Sequence, residues 1–138
     1  MNFIRKAFAT WKGSGKEGKG TLTTESTVLQ DTQYSYNTRF ENGKGTNPEE
    51  LIAAAHAGCF SMQLSFLLGE EGFTPNSLNV EANVQFKDGE INKVILELKG
   101  DVPNIEADKF NEIAEKAKEV CPISKLLKAE IELKSHLS

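Results

Sequence analysis

Two cysteines, Cys59 and Cys121, and two histidines, His56 and His136, are the side chains of this sequence best suited to bond-making chemistry. His56 stands three residues before Cys59, a spacing that sets both on one face of a helix. Cys121 directly precedes Pro122, and His136 lies near the carboxyl end. A zinc site built from these four residues would need distant pieces with neither of its usual close ligand pairs, so no metal is expected. His56 then reads as a hydrogen-bonded helix residue rather than a ligand. Hydrolysis by a Cys-His pair fits poorly as well, because one helix face does not also furnish an orienting group and an oxyanion hole. Thiol redox chemistry asks for less: a reachable ionised cysteine, a cation to hold the thiolate, and a second thiol to close a disulfide. The competing reading is that both cysteines are small hydrophobes of the core.

The two thiols differ in what ionises them. Cys59 lies about three turns into its helix, and the helix dipole acts mainly over the first turn, so Cys59 needs a side-chain cation. Arg5 and Arg39 are the two arginines, and Arg39 lies just ahead of the loop leading into this helix. A unit positive charge at about 4 Å contributes roughly 4 kcal/mol at an effective dielectric near 20. A partly buried guanidinium wants a carboxylate, and Glu49 or Glu50 at the helix start offers one. Each has an ordinary alternative, Arg39 as an exposed strand residue and the glutamates as first-turn helix stabilisers. Cys121 would sit at the start of a short helix whose open N–H groups favour a thiolate, so on residue chemistry alone Cys121 could be the attacking thiol.

The elements that must carry these residues follow from pattern. Residues 3–11, 21–29 and 34–40 suit strands separated by glycine-rich turns. Asn47 as cap, Pro48 at the first position and Glu50 three residues after the cap mark a strong helix start. That helix should run to about Gly69, apolar nearly all round, with small residues Ala53, Ala54, Ala55, Ala57 and Gly58 permitting close approach. Alternating residues on either side of Asp88-Gly89 predict a hairpin. An amphipathic helix over 106–120, a short helical turn over 123–127 and a strand over 129–133 complete the chain. Segregated elements in this order indicate an α+β fold with mainly antiparallel pairing rather than a doubly wound nucleotide-binding sheet.

Composition sets the outer bounds. The chain has 138 residues, of which 38% are hydrophobic, enough for one self-supporting domain over 1–138. A net charge of -4 offers no basic footprint for nucleic acid. Residues 51–68 approach the apolarity of a membrane span, but His56, Ser61, Gln63 and Ser65 favour a buried central helix and no membrane. Charges at Arg5 and Lys6 precede any apolar run suited to a signal peptide, which points to the cytoplasm.

Four blocks in order carry a resemblance that runs nearly end to end: Asn37-Thr38-Arg39-Phe40, the run Gly45 to Leu51, the run Ala54 to Met62 around His56 and Cys59, and Val120 to Ser124 around Cys121. On these the sequence resembles the OsmC/Ohr family of peroxiredoxin-like hydroperoxide reductases, most closely its osmotically inducible OsmC branch. The resemblance implies an α+β fold with antiparallel sheets around a long buried central helix, assembled as an intertwined homodimer with active sites at the subunit interface. It implies a thiol-dependent peroxidase of the stress response, without cofactor, in which Cys59 attacks a hydroperoxide and Cys121 then closes a Cys59–Cys121 disulfide. Arg39 would hold the Cys59 thiolate, Glu49 would orient Arg39, and a dithiol or lipoylated protein would be the reductant. Phe40, Phe60 and Met62 near Cys59 suggest organic hydroperoxides over hydrogen peroxide. Two other functions suit the same fold, a non-catalytic ligand-binding dimer and a thiol redox sensor.

Overall fold

The computed structural model describes residues 1–138, which form two compact units, 1–51 and 52–138, with the boundary inside a long helix. In the first unit, β1 (Ala7–Lys12), β2 (Lys19–Thr24) and β3 (Thr32–Tyr34) pair antiparallel in sequence order. Gly20 on β2 is hemmed in by the rings of Trp11 and Tyr34, whose centroids lie 5.5 Å apart, so no side chain fits there. The third strand is shorter than the β-prone aromatics predict. It ends at Tyr34 and gives way to a short helix, α1 (Tyr36–Phe40). Ser35 and Thr38 cause the switch: the Thr38 N–H donates to Ser35 Oγ at 3.2 Å and the Ser35 N–H to Thr38 Oγ1 at 2.8 Å. Two backbone donors satisfied reciprocally in this way start a helix and override strand propensity. Arg39 therefore sits on a helix, not on a strand.

Gly45, at φ +127°, then turns the chain so that the Thr46 N–H reaches the Gln33 carbonyl at 2.9 Å. The long helix α2 (Pro48–Glu70) starts where its capping residues predict, with Asn47 Oδ1 accepting from the Glu50 N–H at 2.8 Å.

In the second unit, α2 is followed by the hairpin β4 (Ser77–Lys87) and β5 (Glu90–Asp101), joined through Asp88 and Gly89, both at positive φ as a tight hairpin turn requires. Helix α3 (Ala107–Val120) and a short α4 (Pro122–Leu126) cross back over the sheet to β6 (Glu130–Leu137). This crossover returns the chain in the direction of β5, so β6 pairs with it in parallel, whereas the other strand pairs are antiparallel. The pairing also carries the last strand beyond Leu133, through Lys134, Ser135 and His136 to Leu137.

The core lies between helices and sheet: Phe60, Leu64, Leu67 and Leu68 from α2 meet Val94, Leu96 and Leu98 from β5 and the Phe110, Ile113, Ala114 and Ala117 face of α3. Helix α2 is long and apolar enough to cross a membrane by length and composition, yet one side of it is built into this core. Its other side, with Ala54, Ala55, Gly58, Met62 and Phe66, is exposed.

Candidate active site

Cys59 projects from α2, and Cys121 ends α3 and begins α4. The fold brings their sulfurs to 3.0 Å as free thiols. A disulfide has an S–S length of about 2.05 Å, so closure needs roughly 1 Å of approach. The two thiols are unequally placed, Cys121 being fully buried and Cys59 partly exposed. Burial first, and then the hydrogen bond to Cys121, push the Cys59 thiol above its ordinary range. A backbone hydrogen bond from Ile123, in the first turn of α4, acts against them. The short helix start thus does offer a donor to a sulfur, but the recipient is Cys59 rather than Cys121.

His56 is fully buried one turn before Cys59, and its Nε2 lies 2.8 Å from Ser124 Oγ on α4. Its Nδ1 is buried without a hydrogen-bond partner, and burial holds its pKa below the ordinary histidine value. Sequence reasoning placed His56 on the face of Cys59 but did not find Ser124, which carries no signal of its own beyond its place after Cys121.

Arg39 and Glu49 meet in the first unit through two parallel bonds, Nε to Oε1 at 3.0 Å and Nη2 to Oε2 at 3.1 Å. This forked geometry fixes the guanidinium plane as a single contact would not. The guanidinium carbon also lies 5.0 Å from the centre of the Phe40 ring. Glu50 is engaged elsewhere, accepting from Thr46 Oγ1 at 2.7 Å, so Glu49 is the carboxylate that pairs with the arginine. A hollow beside the pair is lined by Trp11, Tyr34, Tyr36, Arg39, Phe40 and Pro48. Of the four sequence-predicted residues, Arg39 and Glu49 form one pair in the first unit, and Cys59 and Cys121 another in the second. No three His, Cys, Asp or Glu side chains gather as a metal would require.

The chain is similar to known proteins over nearly its whole length. The family model described as OsmC-like protein matches residues 41–136. The chain is 52% identical to peroxiredoxin OsmC of Escherichia coli K12 over 96% of each chain. It is 29% identical to the organic hydroperoxide resistance protein OhrB of Bacillus subtilis 168, over 95% of this chain and 98% of that one. The crystal structure of Bacillus subtilis OhrB superposes with a TM-score of 0.69 at 27% identity, covering 99% of this chain and 98% of that one. An OsmC-like protein from Vibrio cholerae reaches 0.75 at 15% identity, over 98% of this chain and all of the other, which speaks to the fold alone. With a family model covering most of its length and a half-identical relative, the chain belongs to the OsmC-like protein family.

Proposed function

We propose that this protein is a thiol-dependent peroxidase that reduces hydroperoxides, organic ones in preference, acting as one OsmC-like domain in a homodimer. The observation that carries the reading is the pair of free thiols 3.0 Å apart, one partly exposed and one fully buried. The names of the relatives, peroxiredoxin and organic hydroperoxide resistance protein, support the same chemistry.

In the first step the Cys59 thiolate attacks the outer oxygen of the hydroperoxide. The O–O bond breaks, Cys59 becomes a sulfenic acid, and the alkoxide leaves as alcohol after taking a proton. In the second step the Cys121 sulfur attacks the Cys59 sulfur, the S–O bond breaks, and the oxygen leaves as water. A dithiol or lipoylated protein then reduces the disulfide.

Burial opposes ionisation of Cys59, so the first step needs positive charge. We assign that role to Arg39, oriented by its two bonds to Glu49, with the Ile123 N–H assisting. A second copy of the chain accounts for the exposed apolar side of α2.

Intact mass and free-thiol counts after one equivalent of cumene hydroperoxide test this reading. The parent should lose both thiols without gaining oxygen, Cys121→Ser should hold one oxygen on Cys59, and Cys59→Ser should not react. Arg39→Met should slow the first oxidation by on the order of 10²-fold, as expected when a preorganised charge is removed. Consumption of the hydroperoxide by Cys59→Ser at the parental rate would rule the mechanism out.

A further inference from the structure

We propose that His56 is a positioning residue for the cysteine pair: through Ser124 it seats α4 against α2, so that Cys121 and the Ile123 N–H stay on Cys59. The significance for turnover rests on the peroxidase reading; the geometry does not.

Helix α2 presents His56 and Cys59 three residues apart on one face, and the chain facing it presents Cys121 and Ser124 three residues apart. Each member of one pair meets a member of the other, Cys59 with Cys121 at 3.0 Å and His56 with Ser124 at 2.8 Å. One contact alone would leave the short helix free to pivot about it, whereas two contacts fix its direction as well as its place.

The second contact matters because α4 is only lightly packed on the core. None of its five residues is fully buried, although Ile123 leans on the core. Its seat on α2 therefore draws on polar contacts as well as on the packing of Ile123. The bond to Ser124 is also costly to break. His56 is fully buried and its Nδ1 has no partner, so without Ser124 the whole imidazole would be stranded away from water. The alignment of the two sulfurs governs how readily they bond, because a well-placed intramolecular partner acts as a very high local concentration.

The test measures the equilibrium between dithiol and internal disulfide in glutathione redox buffers, which needs no peroxide, for the parent, Ser124→Ala and Ser124→Thr. Losing a hydrogen bond that leaves a buried group unpaired should lower the constant for the internal disulfide by about tenfold or more in Ser124→Ala. Ser124→Thr keeps the hydroxyl and should stay within about threefold of the parent. Denaturant unfolding of the reduced forms is measured in parallel. A Ser124→Ala protein that is less stable but keeps the parental constant would show a merely structural bond and overturn the proposal. If Ser124→Ala does not fold, His56→Gln and His56→Leu decide: the first keeps polar atoms for Ser124 and should retain more of the constant than the second, and equal constants overturn the proposal. Should cumene hydroperoxide leave the parental thiols intact while the glutathione constant still falls in Ser124→Ala, the positioning role stands and the peroxidase reading is what fails.

Discussion

His56 ties the stability of the molecule to pH. Its burial lowers the folded-state pKa below the ordinary value of 6.5, so the folded protein binds the proton less readily than the unfolded chain does. The sign follows directly: the stabilisation is fully present above the unfolded value and is lost as pH falls through it towards the folded one. Urea unfolding midpoints should therefore drop on acidification below about pH 6.5. The drop should be smaller in His56→Gln, and an equal drop would show that other groups cause it. At this scale the sequence was legible where partners are near. His56 shares a helix face with Cys59, and the carboxylate for Arg39 was narrowed to two adjacent residues. Ser124 lies 68 residues from His56, and Cys121 lies 62 from Cys59, so only the tertiary fold brings those partners together. Ile123 was hidden for another reason: its contribution comes from a backbone N–H, which any residue type supplies.

Elements with local causes were the ones pattern could find. The start of α2 is written in Asn47 and Pro48, and the hairpin in Asp88-Gly89 between alternating strands. The error over residues 34–40 came from weighing aromatic β propensity above the Ser35 and Thr38 side chains, whose reciprocal bonds make α1. The parallel pairing of β6 was not legible, because alternation reports which face a residue takes and not the direction of the neighbouring strand. Packing between elements sets a further demand at Gly100 on β5. A Cβ there would run into the ring of Phe110 on α3, and Phe110 is fully buried and has no room to yield. Gly100→Ala should therefore cost about 1–3 kcal/mol as an overpacked core contact. Chemical denaturation measures it, and a loss below about 0.5 kcal/mol, the ordinary range of surface substitutions, would show that the helix shifts freely over the sheet.

A single chain leaves much of its apolar surface in water. Met62 and Phe66 on α2 are 64% and 65% exposed, and Phe8 on β1 is 61% exposed. The small residues Ala54, Ala55 and Gly58 continue the same side of α2, giving a second helix room to come close. This surface explains why α2 looked central from its sequence: its apolar residues exceed what one chain covers. Sedimentation or light scattering should find a dimer at micromolar concentration, and Phe66→Glu should shift it to monomer or precipitate it. A parent that is monomeric at that concentration would sink the dimer reading. The unequal burial of the two sulfurs has a consequence of its own. Under the proposed mechanism, with Cys121 enclosed, an incoming dithiol would strike the disulfide at Cys59, the atom the hydroperoxide also needs. Oxidant and reductant thus share one entrance and must take turns. Turnover by that mechanism would be ping-pong, each visitor reacting with the form of the enzyme that the other leaves behind.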